Sequence, residues 1–215
     1  MTISDPILTL TQWLSPAYPV GAFAYSHGLE SVVEDGHVRD VCALRKWLED
    51  VLRYGAGAND ARFIAAAWHA ETAEDVIDID ATARAFCPSR ERLLETEQIG
   101  VAFGKVTDAV WAQATGKLTY PVALGRAAKL QGLPLNLTLR VALQAMMSNL
   151  IACAQRLAPI GQTEAQGLLR DLAATCCDVA EDAADGDLSR LSSTAFIGDI
   201  ASMRHETQYS RIFRT

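Results

Sequence analysis

The sequence predicts an all-α fold, a single compact domain of about nine to ten helices over residues 1–215. Alanine is abundant, and apolar residues recur at helical spacing along the whole chain. Strand signals are almost absent, because no Asn-Gly or Asp-Gly pair lies between two segments of alternating polarity. A chain of 215 residues buries enough surface for a core that needs neither disulfides nor a structural metal.

The N-terminal segment, residues 1–21, begins with a short helix and ends in a proline-rich loop. Ser4 and Asp5 are suitable N-caps and Pro6 suits the first helical turn, so a helix should run to about residue 14. Residues 15–21 contain two prolines and cannot continue that helix. Beyond the loop we expect helices over residues 22–35, 40–54 and 59–69, with a weaker pattern at 72–87.

The second half of the chain has the longest helical patterns. We expect helices over residues 88–114, 121–132 and 134–157, a helix opened by a capping box at 163–166, and a last helix over 195–209. The strongest pattern is the apolar stripe of Leu139, Leu143, Met146, Leu150, Cys153 and Leu157. Polar residues interrupt this helix too often for a membrane span.

Charge and cysteine content exclude several classes of protein. The net charge is −7 and no run of Lys and Arg occurs, so a nucleic-acid partner is not expected. The five cysteines include no C-x-x-C pair, which disfavours a zinc site or a disulfide framework and suits the reducing cytoplasm. Residues 1–5 carry no basic segment of the kind that opens a secretory signal. We therefore expect a cytoplasmic protein with no membrane partner.

Catalytic and metal-binding motifs are weak. Neither G-x-S-x-G nor G-x-x-x-x-G-K-[ST] occurs, so we expect no enzyme activity and no nucleotide site. His27 and Glu30 would share one face of the predicted helix, with His37 or Cys42 as a third ligand. No spacing fixes that third ligand, so an ordinary polar helix face is the favoured interpretation.

Two segments have the composition of a binding surface. The loop at residues 15–21 is stiffened by its prolines and is followed by Phe23 and Tyr25, and rigid aromatic anchors lower the ordering cost of association. The C-terminal tail, residues 203–215, combines Arg, Tyr and Phe, the residue types enriched at interfaces. Its composition fits equally a frayed terminus and a segment that folds on a partner.

The same two segments resemble a known family. Residues 14–30, with the sequence LSPAYPVGAFAYSHGLE, and residues 205–214, with the sequence HETQYSRIFR, are similar to the two ends of the urease accessory protein F family. Residues 120–125 and 148–162 resemble internal blocks of that family. Position 27 is often Gln in the family pattern, whereas His stands here.

The resemblance implies a helper protein without chemistry of its own. Such proteins are helical homodimers that bind the D-type (or H-type) accessory protein, recruit and modulate the G-type GTPase, and engage apo-urease. Nickel is the cargo of that pathway, and no stably bound cofactor is implied. The residues that we predict to bind partners are Tyr18, Phe23, Tyr25, Glu30, Tyr209, Arg211 and Phe213.

The alternative function is direct carriage of nickel. His27, His37 and His205, with a cysteine, are the candidate ligands.

Overall fold

The computed structural model describes residues 5–215, and within that range the chain is all-α with no strand. Residues 5–215 form ten α-helices, which are joined by short connections and two 3-10 turns. The helices are α1 (Pro6–Trp13), α2 (Leu29–Glu34), α3 (Val41–Tyr54), α4 (Ala56–His69), α5 (Ala73–Ala85), α6 (Arg90–Trp111), α7 (Tyr120–Leu130), α8 (Leu135–Leu157), α9 (Gln162–Asp182) and α10 (Phe196–His205). The predicted fold class and helix number are confirmed.

Helix α8 lies in the centre of the core, between α9 on one side and α4 on another. Its predicted stripe is mostly buried, except that Met147 rather than Met146 is the fully buried methionine. By length and composition alone α8 is apolar enough to cross a membrane, and 44% of its apolar stretch is buried inside the protein. Leu139 and Leu150, both completely buried, show that this face is a packing face.

Two glycines allow backbones to approach closely. A Cβ at Gly125 of α7 would lie 2.2 Å from the carbonyl oxygen of Ile64 in α4. A Cβ at Gly100 of α6 would lie 2.1 Å from the carbonyl oxygen of Leu118. Helices α4, α6 and α7 therefore pack at distances that no larger residue at these positions permits.

Helix caps follow the sequence in most places. The Asp5 side chain accepts a hydrogen bond of 2.8 Å from the backbone N–H of Ile7 at the start of α1, while the Ser4 part of that prediction lies outside the described residues. The capping box predicted at residues 163–166 was wrong by two positions. Helix α9 begins at Gln162, and Glu164 accepts instead from the N–H of Gly161.

The helix predicted over residues 22–35 is present only as α2, Leu29–Glu34, and was wrong over residues 22–28. Residues 22–24 form a 3-10 turn, Tyr25 is extended, and His27 and Gly28 both adopt positive φ, 56° and 78°. A Cβ at Gly28 would lie 2.7 Å from the backbone nitrogen of Ser202 in α10, so the break makes room for α10. His27 consequently precedes α2, and it does not share a helix face with Glu30.

Two predicted helices end earlier than expected. The helix predicted to reach residue 114 ends at Trp111, because Ala112 adopts a left-handed conformation with φ of 52°. The last helix ends at His205 rather than at residue 209. The residues from 206 onwards follow an irregular path along the surface.

Candidate partner-binding surface

The C-terminal tail is attached to the rest of the chain through the carboxylate of Glu30. That carboxylate accepts hydrogen bonds of 2.7 Å from the backbone N–H of Ile212 and 2.9 Å from the backbone N–H of Phe213. Glu30 lies in α2 and is only 6% exposed. Two backbone N–H groups of the tail therefore share one buried side-chain acceptor in α2.

The end of the tail pairs with the segment that follows the proline-rich loop. The N–H of Arg214 donates to the carbonyl of Ala24 at 2.8 Å, and the N–H of Ser26 donates to the carbonyl of Thr215 at 3.0 Å. The hydroxyl of Thr215 donates to Glu95 of α6 at 2.7 Å. The two segments that the sequence marks as interaction candidates are therefore neighbours in space.

A second set of polar contacts joins α10 to the tail. His205 is completely buried, with Nδ1 2.6 Å from Glu91 Oε2 and Nε2 3.3 Å from Glu30 Oε2. Arg211 donates to the other Glu91 oxygen at 2.6 Å. We refer to Glu30, Glu91, His205 and Arg211 as the clasp, because together they hold the tail against α2 and α6.

The aromatic residues predicted to bind partners divide by exposure. Tyr18, Tyr25 and Phe213 are 6%, 4% and 4% exposed, and therefore belong to the core of this chain. Phe23 is 64% exposed and Tyr209 is fully exposed, at 104%. Of the aromatic candidates, these last two are available to a partner without rearrangement.

The buried aromatic residues stabilise the loop and the tail. The Tyr18 hydroxyl lies 2.8 Å from that of Thr107, and burial raises the pKa of Tyr18. The Tyr25 hydroxyl donates to Gln98 at 2.8 Å. The Arg156 guanidinium lies 4.5 Å from the centroid of the Phe213 ring, which is a cation–π arrangement.

An exposed apolar strip on α10 was missed at the sequence level. Phe196, Ile200 and Met203 follow helical spacing and are 65%, 49% and 51% exposed, with Ile197 beside them at 61%. In the tail, Ile212 is 59% exposed. The spacing of residues 196, 200 and 203 is the signal that identifies such a strip.

A buried charge centre lies beneath the loop and the tail. His27 Nε2 is 2.8 Å from Glu95 Oε1 and 2.9 Å from Arg92 Nη1, and Arg92 and Glu95 form an ion pair. Burial disfavours the charged form of Glu95, but the charges of Arg92 and His27 outweigh it and lower the pKa of Glu95 to about 2. For the neighbouring Asp60, burial dominates and raises the pKa.

The candidate metal ligands are dispersed. His27 and His205 contact carboxylates in separate places, and His37 is exposed on the surface. Within residues 5–215, no three His, Cys, Asp or Glu side chains are arranged to hold a metal ion. The cysteines are unpaired, and burial raises the pKa of Cys153 to about 12.

Comparison with known proteins gives consistent matches over nearly the whole chain. The UreF family model matches residues 38–173. The chain is 54% identical over 209 residues to urease accessory protein UreF of Ruegeria pomeroyi, covering 97% of this chain and 96% of the relative. It is 52% identical over 212 residues to the protein of that name from Roseobacter denitrificans, with coverage of 99% and 95%. For the protein of that name from Bradyrhizobium diazoefficiens the identity is 44% over 218 residues, with coverage of 96% and 90%.

These matches place the helical chain in a class of accessory proteins. The chain belongs to the UreF family. The resemblance noted in the sequence is thereby confirmed.

Proposed function

We propose that this protein is an adaptor in urease maturation, acting while nickel is inserted into apo-urease. It binds the D-type or H-type accessory protein, and the complex recruits the G-type GTPase and modulates its activity. The proposal rests on the similarity to urease accessory proteins over nearly the whole chain. The protein contributes binding free energy by burying apolar and aromatic surface against its partners, and it does not act by stabilising a transition state.

The surface around the tail supports this proposal. Phe23 and Tyr209 are exposed aromatic side chains on two segments that are joined by backbone hydrogen bonds from Arg214 to Ala24 and from Ser26 to Thr215. Exposed Tyr and Phe beside buried supports are the usual anchors of protein interfaces. The strip on α10 adds four exposed apolar side chains to the same helix that contributes His205 to the clasp.

The remaining parts of the proposal follow from the family. The protein acts as a cytoplasmic homodimer, and nickel is its cargo rather than a resident cofactor. Sedimentation velocity tests the dimer. Equilibrium dialysis with nickel tests the carrier alternative: tight stoichiometric binding that is lost in His27→Ala would favour a carrier.

Capture of the D-type protein tests the adaptor function directly. Tyr209→Ala removes a fully exposed ring that no described residue hydrogen-bonds, so it should weaken capture at least about tenfold while leaving the melting temperature unchanged. Tyr54→Ala is the matched control, because Tyr54 is an exposed tyrosine, 52% accessible, on α3. Equal capture by the two variants would remove Tyr209 from the interface.

Arg211→Ala tests the clasp in the same assay. Arg211 bonds Glu91, so its loss should loosen the tail and abolish capture while the helical circular-dichroism signal is retained. Unaltered capture would refute the assignment of Arg211. If none of the urease-maturation proteins binds the unmodified chain, the adaptor proposal itself fails.

A further inference from the structure

A cavity of about 280 Å³ lies under the proline-rich loop, separate from the exposed surface of the tail. Helices α4, α6, α7 and α8 form its walls, and residues of α1 and the loop cover it. Most of the lining is apolar, including Ile64, Ile99, Leu143 and Met146. Its volume is just below the range of about 300–1,000 Å³ that is usual for ligand sites, so it suits a small molecule or one side chain.

The polar groups of the cavity are concentrated around Asp60. Asp60, His27 and Arg92 line this cavity and also a second, smaller one of about 80 Å³. Tyr120 lines the larger cavity. Burial is the main cause that raises the pKa of Tyr120, and the charge of Asp60 raises it further. Asp60 and Tyr120 therefore both face one largely apolar space.

Several of these groups have no hydrogen-bond partner in the described chain. No residue from 5 to 215 donates a hydrogen bond or forms an ion pair with the Asp60 carboxylate, and none bonds the Tyr120 hydroxyl. The Nδ1 atom of His27 is buried and unpartnered as well. A buried polar atom such as this Nδ1 is costly when left without a partner. The half-buried side chains of Asp60 and Tyr120 are open to hydrogen bonds from a ligand in the cavity.

The charged side chains of the lining indicate the sign of the charge that such a ligand should carry. Among the described residues that line the cavity, Arg92 is the only Lys or Arg. It is ion-paired with Glu95. Asp60 is then a carboxylate without a directly bound counter-ion. A ligand carboxylate would be repelled by both acidic groups, whereas an ammonium group supplies three donors and the missing positive charge.

We propose that this cavity binds a primary ammonium group on an apolar stem, with the nitrogen between the Asp60 carboxylate and the Tyr120 hydroxyl and the stem against α8. The stem packs against Leu143 and Met146, and the ammonium compensates the charge of Asp60. A free alkylamine and a lysine side chain of a partner protein both have this chemistry.

Titration of the full-length chain with n-hexylammonium and with hexan-1-ol tests the proposal. The two probes share a stem and differ in charge, so the ammonium should bind about tenfold more tightly, and Asp60→Asn should abolish that preference. Asp50→Asn is the matched control, because Asp50 is exposed on α3 and should leave both affinities unchanged. Tyr120→Phe should reduce ammonium affinity a few-fold by removing one acceptor.

NMR of the methionine methyl groups shows where on the protein the probe binds. The Met146 methyl signal should shift on titration, because Met146 lines the cavity, whereas exposed Met203 on α10 should not shift. Equal binding of the alcohol and the ammonium, retention of the preference in Asp60→Asn, absence of binding at millimolar concentration, or a shift at Met203 alone would each overturn the proposal.

A capped lysine, Nα-acetyl-lysine N-methylamide, distinguishes the two sources. Competition with n-hexylammonium for the Met146 shift would identify a protein side chain as the natural occupant. Binding of the free amine without competition by the capped lysine would identify a small amine. Because the assay uses the isolated chain, its outcome is independent of whether the chain captures the D-type protein.

Discussion

The packing of α4 against α7 and the attachment of the C-terminal tail show two different ways of holding a segment in place. At α4–α7, a glycine lets one backbone lie against another, and the contact consists of close-packed apolar atoms. At the tail, a buried carboxylate accepts backbone N–H groups, and Phe213 is the tail side chain that is buried in the core. We expect the close packing to fail only when the core unfolds, and the tail to open at a lower free energy.

Glu95 contacts the tail and belongs to the buried charge centre, so its substitution should have the largest effect. It is ion-paired with Arg92, contacts His27 and accepts from the Thr215 hydroxyl, and its side chain is 3% exposed. Glu95→Gln leaves the buried guanidinium of Arg92 without its charge partner, and the expected loss in unfolding free energy is about 3–5 kcal/mol. Urea denaturation measures that loss, and a loss below 1 kcal/mol would contradict this account of the charge centre.

The same group predicts a pH dependence. The pKa of Glu95 is about 2 in the folded chain against an ordinary 4.5, so its contribution to stability is present above about pH 4.5 and disappears as the pH falls toward 2. Glu95→Gln lacks this contribution. Its melting temperature should therefore fall less steeply than that of the unmodified chain between pH 5 and pH 3, and parallel curves would contradict the assignment.

The next largest effect concerns the packed region alone. Gly125→Ala places a Cβ where the Ile64 carbonyl oxygen already lies, and should cost about 1–3 kcal/mol of unfolding free energy. Gly167→Ala in α9 is the control, because nothing lies within 4 Å of a Cβ there and the helix should gain up to about 1 kcal/mol. Thermal melts of the two variants should therefore shift in opposite directions.

A local effect is expected at the tail. Glu30→Ala removes the acceptor for the N–H groups of Ile212 and Phe213, so hydrogen exchange over residues 206–215 should become fast while α8 stays protected. Glu34→Ala, an exposed position of the same helix, should leave both regions unchanged. Loss of protection in α8 would show that the tail and the core unfold together.

The smallest effect is expected at Asp60. Burial raises the pKa of this carboxylate, so its ionised form disfavours folding at neutral pH, and Asp60→Asn should raise the melting temperature slightly. The increase should vanish as the pH falls and Asp60 becomes protonated in the folded chain. A decrease at neutral pH would show that Asp60 has a stabilising partner.

Local rules predicted the helices but not the contacts between distant segments. Asp5 and Ser89 cap α1 and α6, and the period of α8 gave its buried face, because these depend on neighbours in sequence. The break at Gly28 depends on Ser202, which is far away along the chain, and no local pattern encodes that approach.

The candidate site was predicted in part for the same reason. Sequence composition selected the loop and the tail, and the resemblance selected Glu30 and Arg211, but neither gave the pairing of Glu30 with backbone groups at residues 212 and 213. Their use as partner-binding residues stays a prediction. Asp60 escaped notice because an acidic residue near the start of a helix is ordinary, and only the folded chain leaves it without a partner beside a cavity.

The bond between Glu30 and residue 212 uses the peptide N–H and not the side chain. Ile212 itself projects outward, at 59% exposure. The side chain at position 212 can therefore change during evolution without weakening the attachment of the tail to Glu30. Proline is the exception, since it has no N–H to donate.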